Sequence, residues 1–261
     1  METIRERRSR GLNRNGLRTW ALLIAVAGLA GRGLIQNHIL GMGGLNNDQL
    51  LEVLNSSQEM MILATVSLVL QVVETCAVPM FALLLAEGFI HTASFRNYIL
   101  RVAGCALASE IPYDLLMSGK VFNLSAQNPV FGMVLGLVVL YFFRQYEEKG
   151  VKRFLIKFLV VILGVIWANM LRVDLGAALV LVVWPMYVFR AKPMYRNLIA
   201  ACMAMVSAVI SSMFFIMAPM GCLMLHFYNG EKGENEPGKV LTYLIYPVTV
   251  LAMALAAMFL M

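Results

Sequence analysis

Charge is what this chain has least of. Asp, Glu, Lys and Arg make up 14% of its 261 residues, whereas 60% are hydrophobic. Soluble globular domains carry about a quarter charged residues, so a water-soluble fold is excluded and no stretch reads as a soluble domain appended to the rest. Histidine and cysteine are also sparse, at three and four residues. Cys76, Cys105, Cys202 and Cys222 stand singly inside apolar stretches, form no CxxC, and have no histidine placed to complete a zinc site. That pattern excludes a disulfide framework and a structural zinc, and no metal is expected. The chain also lacks a P-loop, a Rossmann glycine pattern, HExxH, GxSxG and the kinase signatures. No internal repeat is visible, so the inverted halves common in transporters are not indicated. The nineteen methionines are scattered, which suits adaptable packing rather than a metal route.

What the chain has is long apolar runs, at the length of about 20 residues that crossing a bilayer requires. Nine segments can be drawn: 17–38, 60–88, 96–117, 129–146, 153–171, 174–190, 196–212, 213–228 and 239–260. The expected fold is therefore an all-α polytopic transmembrane bundle of about nine spans. A basic cytoplasmic arm (1–16) precedes a single membrane domain (17–261). The arm carries Arg5, Arg7, Arg8, Arg10 and Arg14, with Arg18 just after it, against Glu2 and Glu6. A basic start before an apolar run can imitate a signal peptide, but further spans follow and the first is expected to be retained.

With the N-terminus inside, alternating spans place eighteen of the 21 Lys and Arg on cytoplasmic flanks. Only Arg32, Lys120 and Arg172 fall toward the other side. This is the asymmetry of the positive-inside rule, and it explains the basic arm without a nucleic-acid partner. It also favours a break near Ser211-Ser212, because one long helix over 196–228 would carry Lys232 and Lys239 outside. The expected location is the inner or plasma membrane, multi-pass, with the lipid bilayer as the constant partner.

Several charges lie within or at the edges of apolar segments: Glu74, Glu87, Glu110, Asp114 and Arg32. An ionised side chain at the bilayer centre costs roughly 2.5–3.5 kcal/mol on insertion scales, so such residues usually face a cavity or a partner. Glu110 and Asp114 are four apart across Pro112 and share a face only if the helix survives that proline. Glu87 and His91 are also four apart, a spacing at which a carboxylate can charge or orient an imidazole as a base. Plainer roles stand beside these: a helix-end pair for Glu87–His91, a cap or a pairing with Arg101 for Glu110, and an ion pair between Glu74 and Arg32. His38 and His226 sit near span ends, where interfacial packing is the default.

Six motifs follow one another in an order that resembles the TraX family. They are AVPMFALLLAEGFIHT (77–92), SEIPYDLL (109–116), QNPVF (127–131), DLGA (174–177), FYNGEKG (227–233) and YLIYP (243–247). The resemblance runs from about Asn15 to the last span. TraX-like proteins resemble polytopic membrane acyltransferases, and the named member acetylates the N-terminus of a conjugative pilin subunit. The resemblance implies acetyl-CoA or another acyl-CoA as donor on the cytoplasmic side, and an amine or hydroxyl acceptor on a membrane peptide or protein. Glu87, His91, Glu110 and Asp114 are then the candidate catalytic groups. Arg96, Arg101, Gln127, Asn128, Asp174 and Tyr246 are the candidate binding groups, with Arg96 and Arg101 suited to attract CoA phosphates.

The chain departs from the family pattern at three places. Gly28-Leu29 stand where an Asp-His pair is expected in the first span. Tyr246-Pro247-Val248-Thr249 replaces Tyr-Pro-x-His, and Glu74-Thr75 stands where an arginine usually precedes the Pro-x-Phe-Ala run. An acyltransferase using a shifted set of groups therefore competes with a catalytically silent TraX-like subunit that binds a peptide, lipid or membrane protein. A proton- or ion-coupled transporter is a third reading, which no repeat supports.

Overall fold

The computed structural model describes residues 11–43, 45, 49, 57–146, 150–233 and 238–259. Most of the basic arm, most of the 39–59 loop and Lys149 lie outside the described residues. Those described form helices with no strand among them. In chain order they are α1 (Arg14–Leu29), continued by a π-helical stretch Ala30–Ile39, then α2 (Gln58–Glu74), α3 (Ala77–His91), α4 (Phe95–Ser118) and α5 (Val130–Gln145). α6 (Val151–Met170), α7 (Gly176–Val188), α8 (Pro193–Ile210), α9 (Ala218–Met224) and α10 (Lys239–Phe259) follow.

Local chemistry sets many of these ends. Asn13 accepts a hydrogen bond from the Gly16 amide to start α1, Ser57 accepts from Met60 to start α2, and Ser94 accepts from Asn97 to start α4. Pro193 opens α8, where a missing amide costs nothing. α8 ends at Ile210; Ser211 and Ser212 break the chain, and Ser212 caps the short 3-10 helix that follows. The break therefore falls where the charge pattern asks for it. The 60–88 segment differs from expectation: it is cut at Thr75-Cys76, whose amides reach back only three residues, to Val72 and Val73. The backbone of Cys76 lies against Gly221 of α9, where a Cβ would come within 2.1 Å of the Cys76 carbonyl oxygen. Only glycine permits that approach.

Among the described residues, four helical stretches are long and apolar enough to cross a membrane: Arg14–Ile39, Gln58–His91, Pro193–Ile210 and Leu241–Phe259. Val130–Gln145, Gly176–Val188 and Met213–Phe227 are shorter apolar helices. α7 is apolar on every side and buried almost throughout, as a central helix must be. It packs against α3, α5, α6 and α8, while α10 packs along α4. By contrast α6 exposes Phe154, Phe158, Ile162, Ile166 and Trp167. Water would not tolerate so continuous an apolar face, whereas lipid does.

Candidate functional site

Three charged side chains, Arg32, Glu74 and Asp174, meet in one cluster. Arg32 projects from the π-helical stretch, a geometry that recurs at functional sites because the widened turn re-aims its side chains. One guanidinium nitrogen donates to Glu74 Oε2 at 2.9 Å and another to Asp174 Oδ2 at 2.6 Å. Tyr113 donates its hydroxyl to the same Asp174 oxygen at 3.1 Å. Glu74 is the last residue of α2, at the break, and only 2% of its side chain is exposed. The Arg32–Glu74 pairing anticipated from sequence is present, with Asp174 added to it. Two carboxylates share one guanidinium, an arrangement that a low-dielectric interior tolerates only when the groups are well bonded.

Asp174 is held by a strained turn. Arg172 and Leu175, either side of it, adopt positive φ values of 54° and 56°, which non-glycine residues rarely do. Such strain persists when the surroundings over-determine it, and it gathers at functional sites. Here the surroundings are the loop before α5. Gln127 donates its amide to the Arg172 carbonyl and accepts from the Asp174 amide, both at 2.9 Å. Asn128, fully buried, donates its side-chain amide to Glu110 and to the Ala106 carbonyl. Asp114 accepts from the Asn123 amide at 2.8 Å. α4 runs unbroken through Pro112, so Glu110 and Asp114 do sit one turn apart. Each of them, however, anchors the 119–129 loop that carries Gln127 and Asn128.

Glu87 and His91 lie elsewhere, at the end of α3. The imidazole bonds the Glu87 backbone carbonyl at 2.9 Å. The Glu87 carboxylate takes Arg14 at 3.3 Å and the Tyr228 hydroxyl at 2.7 Å. Burial, and then the bond to Glu87, push the Tyr228 pKa up, so its hydroxyl stays a donor. Around them the start of α1 is clipped to the FYNGEKG loop: Leu12 donates to Phe227, Asn229 to Leu12, and Arg14 to Glu231 through backbone amides at 2.8–3.0 Å. Of the other two histidines, His38 bonds the Leu116 carbonyl at 2.9 Å and His226 is exposed.

Two cavities meet at the cluster. One, of about 240 Å³, has Arg14, Arg18 and Thr242 at the basic end and mostly apolar walls, including Phe81, Leu84 and Met133. It reaches Glu74, Leu175 and Tyr246 at its inner end. Arg101 lies over the ring of Tyr243, another wall residue, 5.9 Å from its centroid. Arg96 is exposed on the same helix. The second cavity, of about 360 Å³, is lined by Arg32, Gln71, Glu74, Asn169, Asp174 and Ser211, among others. Glu74 Oε1, the Arg32 Nε, the Tyr246 hydroxyl, Glu110 Oε1 and His38 Nδ1 are buried without a hydrogen-bond partner. Native structures leave few such atoms unpaired, and of these residues Glu74 and Tyr246 line the first cavity.

The family model for the TraX protein matches residues 47–257. The chain belongs to the TraX family. No curated protein and no solved structure matches it. The match begins after the first helix, so Arg32 lies outside it while Glu74, Tyr113, Asp174 and Tyr246 lie within. TraX-like motifs 109–116, 127–131 and 174–177 are the segments that build the Asp174 turn, and motif 227–233 forms the clip on α1. Glu74 lies against Gly28, and Tyr246 shares a cavity with Glu74. Tyr113 lies inside the SEIPYDLL stretch, but a tyrosine in an apolar helix gives no signal in the sequence until its partner is known.

Proposed function

We propose that this TraX-family protein is a membrane acyltransferase whose working group is Glu74, and that it crosses the inner or plasma membrane about nine times with its N-terminus inside. The observation that carries this is the inner end of the 240 Å³ cavity, where a buried acceptor, Glu74 Oε1, and a buried donor, the Tyr246 hydroxyl, both lack partners. A thioester carbonyl satisfies the donor, and the N–H or O–H of an attacking acceptor satisfies the carboxylate. Tyr246 then stabilises the oxyanion while Glu74 takes the proton. Arg32 positions Glu74, and Asp174, which takes the Tyr113 hydroxyl, positions Arg32.

The donor is acetyl-CoA or another acyl-CoA. Its phosphates are drawn to Arg14, Arg18 and Arg101 at the basic end, and its arm lies along the apolar walls. The acceptor is an amine or hydroxyl on a membrane-associated peptide or protein. An ion pair joins the first helix to the end of α2 as Arg32 and Glu74, which supports a shifted catalytic set.

Purified protein in detergent is expected to bind acetyl-CoA and release free thiol from it. Protein that binds no acyl-CoA and releases none sinks the enzyme assignment in favour of a silent subunit. The silent alternative instead predicts stable co-purification with a second membrane protein.

A further inference from the structure

The loop between α4 and α5 has a bare apolar tip. Val121, Phe122 and Leu124 are 62%, 71% and 66% exposed. Single apolar side chains are ordinary on any protein surface, but three within four residues make a patch that water does not favour. Residues 119–129 contain no Asp or Glu, and Lys120 is their single charge. The exposure is built in, because the loop is held from inside. Gly119 ends α4 at a positive φ of 67°, with its amide on the Leu115 carbonyl. The Lys120 amide donates to Ser118 Oγ at 3.3 Å, the Asn123 amide to Asp114 Oδ2 at 2.8 Å, and the Ser125 amide to Asn123 Oδ1 at 3.1 Å. Those bonds turn the polar groups inward and leave Val121, Phe122 and Leu124 on the outside.

Helix length sets the depth of this tip. α4 begins at Phe95, beside the exposed Arg96, and its 24 residues end at Ser118. At helical rise that is roughly 36 Å, against a hydrocarbon core of about 30 Å and about 40–45 Å with the headgroup layers. A helix that starts in one headgroup layer therefore ends in the other, and residue 119 emerges there and not in bulk water. The end of α6 marks the same level. Gln127 of the loop donates its amide to the Arg172 carbonyl at 2.9 Å, and Trp167, exposed in the last turn of α6, lies little more than one turn before Arg172. Tryptophan favours the boundary between membrane and water. Leu107 and Ile111, one turn apart, form an exposed apolar stripe that runs along α4 toward the loop.

We infer that residues 120–124 are an interfacial anchor, with Val121, Phe122 and Leu124 among the acyl chains of the adjoining leaflet and Lys120 on a lipid phosphate. The partner of this patch is a phospholipid surface. Three apolar side chains and one lysine fall far short of the roughly 800 Å² per partner that a stable protein interface buries, whereas an apolar tip with a flanking cation matches the two layers of a leaflet edge. The anchor does not depend on the chemistry at Glu74, but it bears on where that site sits. Gln127, on the same loop, bonds the backbone of Arg172 and Asp174. The membrane surface thereby fixes the depth of the strained turn that presents Asp174 to Arg32.

A photo-crosslinking amino acid reads the partner directly. The full chain carries p-benzoylphenylalanine in place of Phe122 and is irradiated in its native membrane. The expected product is a loop peptide bearing the mass of a phospholipid, in a yield comparable to that from the same probe in place of Leu107. The probe in place of Lys232, exposed in the 227–233 loop, is the solvent control and should give no lipid adduct. A cross-link from position 122 to another protein chain, a second copy of this one included, overturns the inference. So does a lipid yield no higher than at position 232. Leu124 takes the probe if the first variant does not accumulate. Phe122→Trp, reconstituted with phospholipid brominated at chosen depths, gives a second reading. Its fluorescence should be quenched beyond that of the parent protein, most strongly by bromine near the headgroup. No added quenching, or quenching strongest at mid-chain, overturns the anchor.

Discussion

Glu74 occupies the space that a side chain on Gly28 would need. A Cβ built at Gly28 would lie 2.3 Å from Glu74 Cβ and 2.5 Å from Oε2, the oxygen that takes Arg32. The buried carboxylate therefore depends on the absence of a side chain one helix away. Gly28→Ala is expected to push Glu74 off Arg32, lower the melting temperature and remove most acyl-CoA turnover. Gly104→Ala is the control, since a Cβ at Gly104 meets nothing within 4 Å. In the exposed middle of α4 it should stabilise by roughly 0.5–1 kcal/mol. Equal effects of the two substitutions in thermal unfolding would remove the steric argument.

The proposed chemistry divides between Glu74 and Tyr246. Glu74→Gln is expected to lower the acyl-transfer rate constant by about 10²–10⁴-fold, the usual worth of a general base. Tyr246→Phe should lower it by about 10²–10³-fold, the usual worth of an oxyanion donor. Both should leave acyl-CoA affinity, measured by calorimetry in detergent, within a few fold of the parent protein. A Glu74→Gln protein with full turnover would overturn the role of Glu74.

Arg32 faces two carboxylates, and losing it should be worse than losing the pair together. Arg32→Met leaves Glu74 and Asp174 buried against each other and is expected to cost about 3–5 kcal/mol of stability. Adding Glu74→Gln in the same chain should recover part of that loss. A double-mutant cycle read by denaturation should give a coupling of roughly 0.5–3 kcal/mol. Strict additivity would mean that the contacts at 2.9 and 2.6 Å do not act as a unit.

The clip between the start of α1 and residues 227–233 carries a pH signature. Burial and the Glu87 carboxylate favour the protonated Tyr228 hydroxyl, so its pKa is higher folded than unfolded. A pKa raised in this way contributes stability that is fully present below the unfolded value of about 10 and is lost as pH rises through the folded one. Thermal stability should therefore fall above about pH 10, and less steeply in Tyr228→Phe. Indistinguishable pH profiles for the two proteins would show that the Glu87–Tyr228 bond is not coupled to folding.

Glu110 illustrates how far an isolated chain of letters can lead. Its place four residues before Asp114 in an apolar helix suggests catalysis, yet its oxygen takes the Asn128 side chain and backbone amide. A carboxylate that anchors a loop and one that abstracts a proton look alike until their neighbours are known. Asn128→Ala should accordingly cost about 1–3 kcal/mol by leaving buried partners unpaired, and should lower activity only as far as it loosens the Asp174 turn. Activity measured alongside unfolding checks this.

The amino-acid sequence by itself determined the helical membrane character, the apolar segments, the break at Ser211-Ser212, the Arg32–Glu74 partnership and the TraX family. Each of these rests on composition, charge placement or motif order, which are properties of the chain read along its length. Only the tertiary structure decided that Asp174 and Tyr113 join that pair, that the Asp174 turn is strained at Arg172 and Leu175, and that Gly28 yields its space to Glu74. The cut at Thr75-Cys76 belongs with these, since Glu74 and Thr75 interrupt the apolar pattern too briefly to mark the end of a helix. Hydropathy records how much a residue avoids water. It carries no information about which distant helix supplies the partner of a buried charge, and packing alone brings Gly28, Arg32, Glu74 and Asp174 to one place.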